Sequence, residues 1–369
     1  MTKQQKVILV VTNDLVTDQR IHKMALTLMQ LGWQVELVGR IRKNSLPLSS
    51  RPYATYRLKL FFEKGKLFYF EFTIRLFLFL LFHKTQIITA NDLDTLLPCC
   101  LIAWIKKNKL IYDTHEYFTE VPELINKPLE KKIWLFIEKI LFYRLKRIIT
   151  VNERIACEYQ KKYHKPIIII KNLPFYLPLA IDENIIKQKI DQKILLYQGS
   201  VNIGRGIELM LETLNLLQGF TLWIVGSGDI LEKMKQLAAE LKVEKQVVFW
   251  GTVPFENLPS LTPKAFIGFS LEEDLGLNYR YATPNKIYDY IQARTPVIVS
   301  NLPEMKKVVF TYRIGCVLEK RTPQSLASLI LYLFQNRSLY SQLIEQTQKV
   351  AQELCWEKQV ELVKKVYTQ

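Results

Sequence analysis

Residues 193–217 read KILLYQGSVNIGRGIELMLETLNLL. An apolar, β-rich run, KILLYQG, enters a glycine-rich turn and leaves it as IELMLETLNLL, whose apolar residues recur at helical spacing. A strand feeding a helix through a glycine loop is half of a β-α-β unit, and its repetition builds a parallel sheet covered on both faces. The spacing from Gly199 to Gly204 is that of a Walker A loop. However, Arg205 stands where the lysine of G-x-x-x-x-G-K-[ST] belongs, and Gly206 where the magnesium-binding hydroxyl belongs. Such a loop is not built to split a triphosphate. It offers backbone N–H groups at a helix N-terminus, with Arg205 able to add a bidentate contact, and so reads as a diphosphate cradle. A turn that merely joins strand to helix is the alternative.

The same alternation fills the chain. KVILVVTN, WQVELVGR, TQIITAN, KLIYDTHE, RIITVN and PIIIIKN read as strands in the first half, with helical periodicity between most of them. After residue 193 the pattern restarts with FTLWIVGSG, QVVFWG, AFIGFSL, TPVIVS and GCVLE. Between the halves KNLPFYLPLAIDEN carries Pro174 and Pro178 and no periodicity. The expected fold class is α/β, with two doubly wound, Rossmann-like parallel-sheet domains facing a cleft. Residues 1–175 form the first domain, 176–192 a hinge, 193–345 the second domain and 346–369 a closing helix. Ligands of such sheets sit beyond the carboxyl ends of the strands.

Length and composition agree with two globular domains: 369 residues, 49% hydrophobic and 23% charged. The run from MTKQQK into VILVVTN is too short and strand-like for a signal peptide, and the five cysteines have no metal-ligand or disulfide spacing. A reduced, cytoplasmic protein is expected. Residues 1–180 hold 29 Lys/Arg against 15 Asp/Glu, whereas residues 181–369 hold 22 against 20, so the basic excess belongs to the first half. That half is suited to an anionic partner: a phospholipid surface, a nucleic acid or a phosphorylated substrate. The basic residues are dispersed and no nucleic-acid module is present, so no nucleic-acid partner is expected.

Two further segments add to the cradle. IVGSGD, residues 224–229, is a second glycine loop after a strand and contributes Gly226. YATPNKIYDYIQARTPVIVS, residues 281–300, places Asn285 and Lys286 at a helix start and Asp289 within its first two turns, where a carboxylate can accept hydrogen bonds from vicinal hydroxyls. In the first half, Asn13, Asp14, Asp18 and Arg20 follow the first strand, with helix capping the alternative for Asp18. Asp92 and Asp94 in NDLDT read either as a helix N-cap and first-turn acid or as acceptor contacts.

Taken in order, these segments resemble the retaining GT-B glycosyltransferases of family 4, the glycosyl transferases group 1 superfamily. YQGSVNIGRGIELMLE is similar to the family's G-R-x-x-x-x-K-G segment, IVGSGD to I-G-x-G, VVFWGTVPFENLPSL to F-x-G-x-V-x-x-x-x-L-P, and NKIYDYIQARTPVIVS to E-A-M-A-x-G-x-P-V-V. WEKQVELVKKVY resembles the closing helix that crosses back to the first domain. The resemblance implies a retaining, hexosyl-type transfer from a nucleoside-diphosphate sugar to a glycan or lipid-linked acceptor, in cell-surface polysaccharide or glycolipid synthesis, with no metal and no cofactor. It places Gly199, Ser200, Arg205, Gly206, Asn285 and Lys286 at the donor diphosphate, and Asp289, Gly226 and Glu273 at the donor ribose or sugar. His115 falls at the reacting sugar carbon, and Asn13, Asp14, Arg20 and Asp92 on the acceptor side. The pattern also departs from the family: Tyr281 stands at the first glutamate of E-x7-E, with Asn285, Lys286 and the cluster Glu272, Glu273, Asp274 as nearby substitutes. Ser200 replaces an arginine, Arg294 replaces a glycine, and TNDLVTDQR lacks the Gly-Gly pair.

KGKLFYFEFTIRLFLFLLFHK, residues 64–84, is too short and charged to span a bilayer. It is either a buried helix of the first domain or a helix docked on the inner face of the cytoplasmic membrane, which a lipid-linked acceptor would suit. A GT-B sugar-nucleotide epimerase and a non-catalytic, membrane-associated nucleotide-sugar binder are the competing readings.

Overall fold

The computed structural model describes residues 5–121, 124 and 127–368. The chain divides into two compact units, Met1–Asn172 with Gln359–Gln369, and Leu173–Lys358.

In the first unit seven parallel strands, β1 (Lys6–Asp14), β2 (Gln34–Ile41), β3 (Ala54–Lys59), β4 (Ile87–Asn91), β5 (Lys109–Thr114), β6 (Arg147–Thr150) and β7 (Ile168–Ile169), lie in the order β3-β2-β1-β4-β5-β6-β7. The central strands are apolar throughout and buried on both sides, as covered parallel sheets require. Strand β3 has no matching apolar run, because an edge strand that is only half-buried can be polar. The helices are α1 (Gln19–Gln30), α2 (Gly65–Phe82), α3 (Leu93–Lys106), α4 (Pro128–Phe142) and α5 (Glu153–Tyr163). From β1 the chain steps outward to β3, and from β4 it steps the other way to β7. Right-handed crossovers therefore put α1 on one face of the sheet and α2, α3 and α4 on the other.

Helix α2 satisfies one of its two expected roles and leaves the other open. Phe68, Phe72, Leu76 and Leu80, four apart, are buried, while Leu67, Phe70, Ile74, Leu78 and Phe82 are exposed. The Glu71–Arg75 pair closes at 2.8 Å, and Glu71 also accepts the backbone N–H groups of Phe61 and Phe62.

The second unit has six parallel strands, β8 (Ile194–Gln198), β9 (Thr221–Val225), β10 (Val247–Gly251), β11 (Ile267–Ser270), β12 (Val297–Ser300) and β13 (Gly315–Leu318), in the order β10-β9-β8-β11-β12-β13. Its helices are α6 (Glu183–Gln192), α7 (Ile207–Leu214), α8 (Leu231–Glu240), α9 (Leu258–Leu261), α10 (Leu277–Tyr281), α11 (Asn285–Gln292), α12 (Pro303–Tyr312), α13 (Pro323–Gln335) and α14 (Arg337–Ala351). Residues 176–192, expected as a hinge, lie within this unit. Asp182 caps α6 and Ile190 is buried in the unit's core. The expected closing helix over 346–369 is broken, because α14 ends at Ala351 and a new helix, α15 (Val360–Thr368), belongs to the first unit. There α15 packs on α1; Tyr367 bonds Thr89 of β4 at 2.8 Å and meets Trp33 edge-on, and Arg147 donates to the Val366 carbonyl.

Candidate active site

Each sheet reverses its strand order at one place, and in a doubly wound sheet that is where loops part to admit a ligand. The reversal lies between β1 and β4 in the first unit and between β8 and β11 in the second. Most of the residues singled out from the sequence lie at these two points.

In the first unit, polar residues close otherwise apolar strands: Asn91 ends β4, and Asp113 and Thr114 end β5. His115 follows directly. Its Nε2 is 3.1 Å from Asn91 Oδ1 and 3.5 Å from Asp113 Oδ2, and its Nδ1 is 3.4 Å from Asp92 Oδ2. Burial by itself would favour neutral imidazole, but the Asp92 and Asp113 carboxylates outweigh it and raise the group to about 9. His115 is therefore a cation at neutral pH, with Asn91 and Asp113 beside Nε2 and Asp92 beside Nδ1.

Asp92 occupies the N-cap position of α3 but makes no side-chain cap bond. Its φ of 62° turns the carboxylate toward His115, whose backbone N–H it also accepts at 2.8 Å. A left-handed aspartate costs of order 1–3 kcal/mol, and such strain is typical of functional sites. Asp94 lies in the first turn of α3 and accepts the Thr12 hydroxyl at 2.6 Å; burial and then the Asp92 charge raise it to about 7.

Arg20, expected on the acceptor side, is buried and spends its guanidinium internally. It forms a fork on Asp113 at 2.8 and 3.1 Å and donates to the Ile170 carbonyl at 2.9 Å. It holds Asp113 rather than facing an acceptor. Asp14 is likewise buried, accepting from Arg57 at 2.9 Å and from the Ser45 hydroxyl, on the side of the sheet toward β3. Asn13 is exposed and donates to Asp18, which caps α1 by accepting the Ile21 N–H.

The charge on His115 gives a test. Its folded value lies above its ordinary 6.5. The resulting stability is fully present below pH 6.5 and is lost as pH rises through about 9. Denaturant unfolding at about pH 6 and about pH 10 should show the wild type losing about 3 kcal/mol more than His115→Gln. Parallel pH profiles for the two proteins would exclude the charged pair.

In the second unit the loop from Gly199 to Gly206 joins β8 to α7, with Gly206 at the N-cap in left-handed conformation. Gly199 and Ser200 are exposed. A Cβ on Gly226 (φ 144°) would stand 1.8 Å from the Gly199 carbonyl oxygen, so that glycine allows the two strand-end loops to touch.

Two cations converge beside this loop through an acid. Glu272, 1% exposed at its side chain, accepts from Lys286 Nζ at 2.8 Å, from Arg205 at 3.4 Å and from the Ser270 hydroxyl at 2.7 Å. Burial opposes its charge, but Lys286 and then Arg205 hold it below the usual carboxylate range. Lys286 lies over the Tyr197 ring at 4.2 Å and Arg205 over Tyr279 at 4.7 Å. Two cations share one carboxylate, which leaves an excess of positive charge at the mouth of the loop. Asn285 is exposed at the start of α11. Asp289, one turn later, accepts from Gln198 at 3.0 Å, and Gln198 in turn accepts from Thr262 at 2.9 Å. Glu273 pairs with Arg321 at 3.1 Å. Arg294, at the position of a family glycine, adopts φ 53° with its side chain fully buried, and its guanidinium donates to the Leu177 carbonyl at 2.8 Å.

Asn91, Asp113 and Gln198 position the site without having been singled out from the sequence. All three are polar residues at the carboxyl ends of buried apolar strands, and that pattern is the available signal.

Compared with known proteins, residues 18–173 match the family described as Glycosyltransferase Family 4, and residues 180–350 match Glycosyl transferases group 1. An uncharacterized glycosyltransferase of Methanocaldococcus jannaschii is 22% identical over 209 residues, which covers 52% of this chain and 57% of that protein. The chain thus matches little more than half the length of that curated relative. The sucrose-phosphate synthase of Thermosynechococcus elongatus has a similar fold, with a TM-score of 0.78 at 17% identity over 99% of both chains. The Anabaena protein HepE, solved with UDP and glucose, gives 0.75 at 12% identity over 99% of this chain and 100% of that one. The two parallel-sheet units are those of the GT-B fold.

Proposed function

The chain carries the family 4 and group 1 domains of a GT-B glycosyltransferase, and from that premise we propose that it moves a hexose from a nucleoside-diphosphate sugar to a glycan or lipid-linked acceptor with retention at the anomeric carbon. The observation that carries the donor site is the convergence of the Gly199–Gly206 loop, Arg205 and Lys286 at the strand reversal of the second unit. In the reaction the bond from the anomeric carbon to the diphosphate oxygen breaks, a bond to an acceptor oxygen forms, and the acceptor hydroxyl loses its proton. The charge that grows on the leaving diphosphate is met by fixed donors: the N–H groups at the start of α7, the Arg205 guanidinium and the Lys286 ammonium. These groups supply that stabilisation from the protein itself. Asp289, held by Gln198, is suited to accept from ribose hydroxyls, and Glu273 lies on the neighbouring loop.

The proposal assigns the acceptor, with His115 and Asp92, to the first unit. Held by Asn91, Asp92 and Asp113, the His115 ring is suited to position the reacting sugar through its hydroxyls. The role in cell-surface polysaccharide or glycolipid synthesis, and attachment to the inner face of the cytoplasmic membrane, belong to the same reading.

Calorimetry with UDP and GDP tests the donor site. Arg205→Ala should weaken binding of the preferred diphosphate by about 1.5–3 kcal/mol, the worth of a charge-assisted hydrogen bond. An unchanged affinity would remove Arg205 from the donor site.

A further inference from the structure

The outer surface of α2, α3 and α4 is apolar where a solvated helix is polar. On α4 the exposed residues Leu129, Ile133, Phe136, Ile140 and Tyr143 fall three or four apart and form one stripe along the helix. On α2 the exposed residues from Leu67 to Phe82 do the same, on the side away from the buried stripe. Helix α3 adds Leu101, Trp104 and Ile105. The three helices adjoin. Tyr69 of α2 meets Trp134 of α4 edge-on at 5.2 Å, Lys66 pairs with Glu130 at 3.3 Å, and Lys106 at the end of α3 donates to the Leu80 and His83 carbonyls at the end of α2. The stripes therefore lie side by side. Phe70 is 66%, Trp104 74% and Phe136 65% exposed, and a continuous apolar surface of this kind marks an interaction site.

Charge identifies the occupant. Across residues 61–84, 93–109 and 127–146 the exposed charged side chains number ten, and every one is lysine or arginine. The acids of these segments are taken up internally: Glu63 by the Lys43 N–H, Glu71 by Arg75 and two backbone N–H groups, Asp94 by Thr12, Glu130 by Lys66, and Glu138 in the interior. A second copy of the same cationic face would be repelled. An anionic bilayer offers both an apolar boundary for phenylalanine and tryptophan and phosphates for the lysines.

We propose that the α2–α3–α4 face docks the first unit on an anionic lipid bilayer, lying in the interface without crossing it. Among the described residues no helix is long and apolar enough to cross a membrane. The proposal deepens the membrane attachment in the reading above and rests on it for its purpose, but its test is independent of donor chemistry. It also moves the contact from α2 alone to three helices. Phe79 of α2 stacks on His83 at 3.7 Å and meets Tyr56 at 4.9 Å, so it is packed rather than presented.

Co-sedimentation of the full chain is measured with vesicles of phosphatidylcholine alone and of phosphatidylcholine mixed with phosphatidylglycerol. Binding is expected to the mixed vesicles, to be reduced by salt, and to fall about tenfold or more in a Phe70→Ser/Trp104→Ser/Phe136→Ser variant whose melting temperature is unchanged. A Lys132→Glu/Lys139→Glu variant should lose affinity for the mixed vesicles in the same way. Equal binding to both vesicle types, no binding to either, or unchanged binding by the triple variant overturns the docking. So does a dimer in lipid-free solution that the triple variant dissolves. Calorimetry with UDP and GDP in the absence of lipid is run alongside. Intact nucleotide binding with failed sedimentation sinks the docking alone, whereas sedimentation with no nucleotide binding sinks the donor site alone.

Discussion

Replacing His115 with alanine is expected to lower turnover by roughly 10²–10³-fold while leaving nucleoside-diphosphate affinity nearly unchanged. The two halves of the expectation come from different units. The ring is fixed by Asn91, Asp92 and Asp113 at the strand reversal of the first sheet, so its loss removes a positioning group that was oriented before any substrate arrived. The proposed diphosphate partners, Arg205 and Lys286, belong to the second unit, which contains none of these groups. Steady-state rates with a donor and acceptor, and calorimetry with the diphosphate alone, separate the effects. Surviving turnover, or a collapse of diphosphate binding equal to the loss of rate, would end the assignment of His115.

The largest effect on stability should come from Arg20→Ala. Arg20 and Asp113 are 3% and 1% exposed at their side chains and joined through two hydrogen bonds. Removing the cation leaves a buried carboxylate facing only His115, and breaking such a pair costs about 3–5 kcal/mol. Replacing both partners with apolar residues of similar size, Arg20→Met with Asp113→Leu, should recover much of that loss while still impairing turnover, because His115 loses one of its two carboxylates. Denaturant unfolding measures the first effect and rates the second. A single-variant cost below about 1 kcal/mol would mean that the pair contributes no more than a surface ion pair.

The parts of this molecule visible in the sequence are those encoded locally. Residues 193–217 specify a strand, a loop and a helix through apolar spacing and glycines alone, and repeated units of that kind make two parallel sheets. Pairings across long separations are not visible in this way. Arg20 and Asp113 stand 93 positions apart, and nothing near Arg20 announces that it will be consumed internally. Glu272 and Lys286 are closer in sequence but meet only because β11 and α11 are brought side by side. Strand β3 escapes a periodicity search because an edge strand does not need two apolar faces. Residues 176–192 look like a linker because of their prolines, yet Arg294 reaches Leu177 and binds that segment to the second unit.

The placement of α15 has a consequence for biosynthesis. The first unit is written in two pieces, and its last piece, residues 359–368, leaves the ribosome only after all of Leu173–Lys358 has been made. Until then the ledge between Trp33 and Thr89, which Tyr367 covers, stays open to water. The second unit, continuous in the chain, can fold while the first still lacks its final helix, so an incomplete nascent chain exposes the flank of α1 and is prone to chaperone capture or aggregation.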